Sequence, residues 1–161
     1  MRILFLDIDG VLNTQKYLKE VWDKKKRDHV DLDDLDSLAN HKMLDIDMNK
    51  LKLLKEIVDE CDLSVVITSS WKRLTVYPLV EKRLIELGIP VVGVTIDNMD
   101  NRGHGIKNYI KKYNIKEYII LDDDIFYDYD EEILKRLVKT SFYEDGLDEE
   151  KKEEAIRLIK K

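Results

Sequence analysis

The stretch ILFLDIDGV, residues 3–11, is a short apolar run that ends abruptly in acidic residues. Consecutive apolar residues followed by acids are typical of a strand that is buried on both faces. Strand alternation points the side chains of Asp7 and Asp9 the same way, so their carboxylates should lie close together. Gly10 permits a sharp turn with positive φ directly after them. The stretch therefore predicts a strand that delivers an acidic pair to one edge of a sheet.

Further apolar segments alternate between strand and helix periodicity along the chain. Strands are predicted at 63–67, 91–95, 117–121 and 137–140, and helices at 48–60, around 80–87, around 106–113 and at 148–159. This alternation indicates βαβ units with right-handed crossovers and a parallel sheet. In such a sheet ligands bind at the carboxyl ends of the strands, so we expect the chemistry just after Leu6, Ile67, Thr95 and Leu121.

The composition predicts one folded domain over residues 1–161. The chain is 43% hydrophobic and 39% charged, a balance typical of globular rather than disordered proteins. Its net charge of −6 argues against stable binding of a nucleic-acid duplex by overall phosphate neutralisation. The single cysteine, Cys61, fits a reducing cytoplasm. Because the apolar runs are short and Asp7 interrupts the first, we expect neither a membrane span nor a signal peptide.

Residues 14–47 do not fit the strand–helix alternation. The segment is highly charged with scattered apolar residues, and it is too long for an ordinary loop. Long loops in compact domains are usually functional or disordered. Because the segment leaves the carboxyl end of the first strand, a partly helical lid is one interpretation. A surface decoration and a mobile insertion are the alternatives.

Some side chains of this insertion are suited to substrate contact. Tyr17 and Trp22 offer aromatic rings on which a nucleobase stacks, and the run Lys24–Arg27 attracts anions. Local packing and a solvated helix face are the ordinary alternatives. His29 and His41 lack the spacing of zinc ligands, so no zinc site is predicted.

Acidic residues close two of the predicted strands. Asp7 and Asp9 follow the first strand, and the run Asp122–Asp124 follows the fourth. Carboxylates so close together repel one another unless a cation lies between them, and Mg²⁺ prefers oxygen ligands. If the two strands are neighbours, the acids face each other and complete a metal site. The alternative is a set of solvated turn acids and helix caps.

Hydroxyl and cationic groups accompany the acids. Thr68 and Ser69 end the second predicted strand, where hydroxyls and free backbone N–H groups bind phosphate oxygens. An N-cap for a helix near Trp71 is their alternative role. Arg102 and Lys107 flank the start of the third predicted helix, and one of them would neutralise phosphate or the nucleophile. A solvated surface cation is the ordinary alternative, above all for Lys107.

The order acid-x-acid, hydroxyl, cation and acid cluster resembles the haloacid dehalogenase-like (HAD) superfamily of phosphohydrolases. Residues 7–11 resemble its first motif, Thr68 its second, Arg102 its third, and the pair Asp122-Asp123 its fourth. The phrases FLDIDGVLN, VVITSSWK, RGHGIKNYI, YIILDDD and LVKTSFYEDGL are similar to the small HAD domains associated with Swiss Army Knife RNA repair proteins. The resemblance covers residues 1–13 and about 48–150. It implies an α/β fold with a three-layer α/β/α Rossmann-like core, a parallel sheet and a small insertion after the first strand.

The resemblance also implies a mechanism. Asp7 would be the nucleophile that takes the phosphoryl group as an aspartyl-phosphate, and Asp9 the general acid and then the general base. Arg102 stands where the superfamily often has lysine, and Lys107 is the alternative cation. The implied metal-binding residues are Asp7, Asp9 (through its backbone carbonyl), Asp122 and Asp123, and the implied substrate-binding residues are Thr68, Ser69, Arg102 and Lys107.

The leading interpretation is therefore a Mg²⁺-dependent phosphohydrolase that cleaves a phosphomonoester, either on a small phosphorylated substrate such as a nucleotide or on a nucleic-acid end. A non-catalytic module is the alternative, either a phosphorylatable receiver-like domain or an inactive HAD scaffold. A receiver carries its acid pair and its phosphoacceptor on different strands. Here the acid-x-acid pair comes first and the acid cluster last, an order that favours the hydrolase.

Overall fold

The strand predicted first in the chain lies at the centre of the sheet. In the computed structural model, which describes residues 1–161, β1 (Arg2–Leu6) pairs in parallel with β2 (Ser64–Ile67) and with β4 (Glu117–Asp122). The strands β3 (Val91–Val94) and β5 (Leu137–Lys139) form the two edges, giving the order β3-β2-β1-β4-β5. Because every pairing is parallel, the carboxyl ends of all five strands lie at the same edge of the sheet.

Seven helices surround this sheet, and local signals set several of their ends. The side chain of Asp47 accepts a hydrogen bond from Asn49 N at one helix start, and that of Asp148 accepts one from Lys151 N at another. These caps supply partners for backbone N–H groups that have none within the helix. The helices are α1 (Gln15–Arg27), α2 (Leu35–Met43), α3 (Met48–Cys61), α4 (Tyr77–Glu86), α5 (Arg102–Tyr113), α6 (Glu131–Leu134) and α7 (Glu149–Lys160).

Both faces of the sheet are buried, as the uninterrupted apolar strand sequences predict. Leu4 and Leu6 point into the larger core, which also contains buried residues of α3, α4 and α7. Ile3 and Phe5 point the opposite way, into a second core that includes Ile106 of α5. The result is the three-layer α/β/α Rossmann-like arrangement that the resemblance implied.

The differences from the predicted elements are small and have local causes. Thr95 and Thr140 fall just outside their strands, although their backbone N–H groups still bond to Ile67 O and Asp122 O. The helix predicted around 80–87 is α4, which ends at Glu86, so that Leu87 is its exposed C-cap next to Gly88 at φ +92°. The four-residue α6 is too short to show helical periodicity and was not predicted.

Residues 14–47 fold into two helices, α1 and α2, joined by residues 28–34. Thr14 begins α1 by accepting a hydrogen bond from Tyr17 N, and the Tyr17 hydroxyl donates to Leu44 O and Ile46 O near the end of the segment. The only fully buried residue of α1 is Val21, so most of that helix faces solvent. No helix of the protein combines the length and apolar character that crossing a membrane requires.

Candidate active site

Three carboxylates converge where β1 and β4 end. Asp7, Asp122 and Asp123 each offer an oxygen, and these oxygens all lie within 4.8 Å of one another. The backbone N–H of Asp7 donates to Leu121 O at 2.9 Å, which extends the pairing of the two strands into the site. Asp7 and Asp122 are buried and Asp123 is half-buried. Strand adjacency therefore brings together acids that lie more than a hundred residues apart in the sequence.

Gly10 makes room for one of these acids. Its φ is +84°, and a Cβ atom at this position would overlap the carboxylate of Asp123. Its carbonyl oxygen accepts a hydrogen bond of 2.7 Å from the hydroxyl of Thr140, at the end of β5. The turn after β1 thus needs glycine for both its backbone conformation and the close approach of the acid.

One guanidinium faces the acid cluster. Arg102 Nη1 lies 3.2 Å from Asp7 Oδ1 and 2.9 Å from Asp122 Oδ2, and the guanidinium stacks on the ring of Phe126. The hydroxyl of Tyr129 also donates to Asp122 Oδ2, at 2.8 Å. Because Arg102 begins α5, the fold places the predicted third-motif cation at the same sheet edge as the acids.

The electrostatics of the cluster show a shortage of positive charge. Burial raises the pKa of Asp7 well above its usual value, Asp122 raises it further, and Arg102 opposes the shift. Burial also raises the pKa of Asp123. A raised carboxyl pKa means that the charged form is disfavoured where it lies. One arginine therefore does not compensate for three clustered acids.

The donor set fits a divalent cation. Carboxylate oxygens are the protein ligands that Mg²⁺ prefers, and it usually keeps several waters and shares the site with substrate phosphate. Three carboxylates facing one guanidinium leave two negative charges without a partner, which matches the charge of one Mg²⁺. Such a cation would oppose both the burial and the repulsion from Asp122 that raise the pKa values of Asp7 and Asp123.

Asp9 is held apart from this cluster. Its Oδ1 accepts a hydrogen bond of 2.9 Å from Asn13 Nδ2, and its Oδ2 accepts one of 3.1 Å from Trp71 Nε1. The residue is exposed, unlike Asp7. Its side chain supplies no oxygen to the three-aspartate cluster, and the metal contact implied for it was through its backbone carbonyl.

The two hydroxyl residues after β2 differ in their contacts. Thr68 N donates to Leu6 O at 2.9 Å, and its buried hydroxyl has no hydrogen-bond partner. A buried hydroxyl without a partner costs free energy, and a bound phosphoryl oxygen would satisfy it. Ser69 Oγ instead accepts from Trp71 N at 3.2 Å and caps the 3-10 turn Ser70–Arg73. Ser69 thus has the capping role that the sequence left open as an alternative.

A lysine that the sequence analysis did not single out lies beside Thr68. Lys72 Nζ donates to Thr68 O at 3.2 Å, to Thr95 Oγ1 at 2.9 Å and to Asp97 Oδ1 at 2.9 Å. Burial lowers the pKa of Lys72, and the hydrogen bond to Asp97 works in the opposite direction. Its position four residues after Thr68 was the available signal, because the turn at Ser70–Arg73 brings the two together.

Lys107, the alternative cation, lies away from the acid cluster. Its ammonium pairs with Asp130 on the protein surface. That contact is the largest cause that raises the pKa of Lys107 and lowers the pKa of Asp130. The structure thus brings Arg102, and not Lys107, to Asp7 and Asp122.

The helical insertion contacts the site through the backbone of Asp45 and the side chain of Lys42. Asn13 Nδ2 donates to the backbone oxygen of Asp45 at 3.0 Å as well as to Asp9, and its Oδ1 accepts from Gly10 N. Lys42 Nζ lies 4.2 Å from the ring centroid of Trp71. Asn13 and Trp71 both belong to phrases quoted for the resemblance, yet their spacing alone did not indicate that they bind Asp9.

The family comparison agrees with this arrangement. A model of the HAD domain in Swiss Army Knife RNA repair proteins matches residues 3–151, a range that includes the insertion at 14–47. No curated protein and no solved structure matches the chain. The matched range contains β2 to β5, all of β1 except Arg2, the three clustered aspartates and Arg102. The chain therefore belongs to the family of HAD domains found in Swiss Army Knife RNA repair proteins.

Proposed function

We propose that this protein is a Mg²⁺-dependent phosphomonoester hydrolase that acts on a nucleic-acid end through an aspartyl-phosphate at Asp7. The observation that carries the proposal is the buried convergence of Asp7, Asp122 and Asp123 beside Arg102. Membership among the HAD domains supports phosphohydrolase-type chemistry, and the RNA repair context of the family favours a nucleic-acid end as the substrate.

Asp7, Asp122 and Asp123 would hold the Mg²⁺. When bound, the ion supplies positive charge that offsets the charge of the phosphoryl oxygens and polarises the phosphorus centre. Arg102 would bind a phosphoryl oxygen, and its planar guanidinium suits that geometry. The unpartnered hydroxyl of Thr68 would donate to another phosphoryl oxygen.

The proposed reaction has two steps. A carboxylate oxygen of Asp7 forms a bond to phosphorus while the ester P–O bond breaks, and the leaving oxygen takes the proton of the Asp9 carboxyl group. The Asp9 carboxylate then takes a proton from a water whose oxygen attacks phosphorus, and the bond from phosphorus to Asp7 breaks. The products are the free hydroxyl, inorganic phosphate and the original enzyme. Splitting one displacement into two in this way lowers the barrier of each.

Geometry separates the two aspartates in a manner that supports these roles. Asp7 lies against Arg102 and the other acids, in the place suited to a nucleophile that bonds to a charged phosphoryl group. Asp9 is exposed and is held by the neutral donors of Asn13 and Trp71, so it has access to a leaving group and to water. Ser69 and Lys107 have structural partners and are given no step.

Phosphate release tests the proposal. Purified protein with MgCl₂ is assayed on p-nitrophenyl phosphate and on RNA oligonucleotides that carry a 5′- or 3′-terminal phosphate. We expect turnover that EDTA removes and that the Asp7→Asn variant lacks. The matched control is Asp124→Asn, because Asp124 is adjacent to the cluster but is not one of its three acids. Absence of turnover on every substrate, or a stable phosphoenzyme that is not hydrolysed, would overturn the hydrolase in favour of a regulatory module.

A further inference from the structure

We propose that the face of α1 around Trp22 binds the single-stranded RNA that leads to the terminal phosphate. The inference rests on the proposed function for where the strand ends, but the binding surface is argued from its own contacts. It concerns Trp22, Lys19, Lys25 and Lys26 of α1, which we call the Trp22 face.

Trp22 presents an accessible aromatic ring. The residue is 59% exposed and lies between two surface cavities. The first cavity has a volume of about 460 Å³ and is also lined by Lys25, Lys26 and Asp45. The second has a volume of about 370 Å³ and is also lined by Lys19 and Phe142. An exposed indole that lines two cavities is able to take a planar base against the face of its ring that Lys26 does not cover. Base–aromatic stacking of this kind tolerates any sequence, since every base has a π-face.

The charge of α1 is opposite to that of the whole chain. Six basic residues and two acidic ones give the helix a net charge of +4, whereas the chain carries −6. Lys26 Nζ lies over the ring of Trp22, 5.1 Å from its centroid, so one face of the ring carries a cation and the opposite face is the one offered to a base. Proteins that bind single-stranded nucleic acids without sequence preference place cations along the phosphate backbone and aromatic rings against the bases. An acidic peptide would use the cations but would leave the indole without a partner.

The positive region has a definite limit. Five aspartates occur among residues 28–36, directly after the end of α1. Like charges repel a phosphate backbone there, so a strand is favoured along α1 and disfavoured beyond its last residue. The surface therefore has a direction, from the acidic segment at one end to the candidate active site at the other.

Hydrogen bonds connect the Trp22 face to the candidate active site. Lys25, which lines the larger cavity, forms a salt bridge with Asp45. The backbone oxygen of Asp45 accepts from Asn13, and the same amide group of Asn13 donates to Asp9. Lys25, in the wall of the larger cavity, is thus held in place relative to Asp9, the carboxylate proposed to transfer protons.

The distance along α1 from the site to Trp22 determines how many nucleotides a bound RNA needs to reach the indole. Trp22 lies eight positions after Thr14, the residue that follows Asn13 beside the site, and eight positions of helix correspond to a rise of about 12 Å. Nucleotides in a stacked strand advance about 3.4 Å each. A strand that ends in the site therefore reaches Trp22 after about four nucleotides, and a dinucleotide is too short to reach it.

Binding of fluorescently labelled single-stranded oligoadenylate RNA with a terminal phosphate tests the inference. Fluorescence anisotropy is measured in EDTA, which prevents turnover, on the wild type and on Trp22→Ala. We expect the decamer to bind Trp22→Ala about tenfold more weakly, within the effect of losing one base–aromatic stack. Trp22→Phe should recover part of the affinity, and the dinucleotide should bind all of these proteins alike.

The chain offers a matched control on α5. Lys112 Nζ lies 5.2 Å from the ring centroid of Tyr113, and Tyr113 is also substantially exposed, so this pair resembles Lys26 and Trp22. Tyr113→Ala should leave the affinity for RNA unchanged. Equal affinity of wild type and Trp22→Ala would overturn the inference. So would displacement of the RNA by polyglutamate at the same charge concentration, because that result indicates an acidic peptide as the partner.

Turnover of p-nitrophenyl phosphate separates this inference from the proposed function. That substrate is too small to reach Trp22, so Trp22→Ala should hydrolyse it at the wild-type rate. If no protein hydrolyses either this substrate or the phosphorylated RNA oligonucleotides while binding of the decamer still depends on Trp22, the hydrolase proposal fails and the Trp22 face is retained. If p-nitrophenyl phosphate is hydrolysed at the wild-type rate while Trp22→Ala leaves the affinity for RNA unchanged, only the inference about the Trp22 face is overturned.

Discussion

The indole of Trp71 donates a hydrogen bond from Nε1 to Oδ2 of Asp9 at 3.1 Å, although 62 residues separate them in the chain. The other carboxylate oxygen accepts from Asn13. Both oxygens of an exposed acid are therefore oriented by neutral donors. Asp7, in contrast, faces the guanidinium of Arg102. The fold thus gives two aspartates, separated by a single residue, different surroundings.

Replacing Trp71 tests whether this orientation matters for turnover. Trp71→Phe keeps an aromatic ring in a site that is 2% exposed, but it removes the N–H that holds Asp9. We expect kcat on p-nitrophenyl phosphate to fall about tenfold, less than the 10²–10⁴ that a general acid–base contributes, because Asn13 still holds Asp9. KM should change little, since Trp71 has no assigned contact with the phosphoryl group. An unchanged kcat would mean that the hydrogen bond only stabilises the fold.

Replacing Asp7 should stabilise the metal-free protein while abolishing turnover. Burial and the neighbouring Asp122 raise the pKa of Asp7 above its unfolded value. Protonation of Asp7 therefore favours the folded state. This contribution to the free energy of unfolding is complete below the unfolded pKa of about 3.9, and it is lost as pH rises through the raised pKa of the folded state. At neutral pH, Asp7→Asn removes the cost of burying a charged carboxylate. Each 1 kcal/mol gained in the free energy of unfolding raises Tm by about 2–4 °C. Thermal unfolding in EDTA measures the change, and a lower Tm than that of Asp124→Asn would contradict it.

Mg²⁺ should raise Tm, and more so at higher pH. An ion that binds only the folded state adds about 2.7 kcal/mol at a concentration of 100 times its Kd. The raised pKa values of Asp7 and Asp123 mean that protons compete with the ion as pH falls. The rise in Tm on adding MgCl₂ should therefore be larger near pH 8 than near pH 5. Asp123→Asn should reduce the effect, and an identical rise at both pH values would show that the ion binds elsewhere.

Arg102 and Lys107 should respond differently to truncation. Arg102→Ala leaves Asp122, which is 0% exposed, without its cation, and losing one partner of a buried pair typically costs about 3–5 kcal/mol. We expect a large fall in Tm and a higher KM for p-nitrophenyl phosphate. Lys107→Ala breaks only an exposed pair with Asp130, so neither quantity should change appreciably. Similar effects of the two variants on KM would argue against assigning the phosphate contact to Arg102.

Much of the fold was predictable from local patterns. The strands predicted from the apolar runs at residues 3–6 and 117–121 are confirmed by β1 and β4, and the helix predicted at 48–60 is confirmed by α3. The positions of α1 and α2 within residues 14–47 were not predicted by the same reasoning. The apolar stripe of α1 is short, because Tyr17, Leu18, Val21 and Trp22 are its only apolar residues among eight charged ones, and so few positions do not define a helical period by themselves.

The arrangement of the candidate site was predictable only where it follows from topology. Neighbouring parallel strands explain why Asp7 meets Asp122 and Asp123, but spacing does not reveal that Trp71 and Asn13 share Asp9. Those contacts depend on the 3-10 turn at Ser70–Arg73 and on the turn at Gly10, which are set by tertiary packing. The chemical roles of these residues stay predictions.

The central place of β1 has a consequence for biosynthesis. β1 leaves the ribosome before the other four strands of its sheet, yet its partner β4 begins only at Glu117. Until that residue emerges, a nascent sheet of β1, β2 and β3 presents the bare hydrogen-bonding edge of its most apolar strand. Such an edge readily pairs with other chains, so translation pauses before residue 117 should increase aggregation or dependence on chaperones.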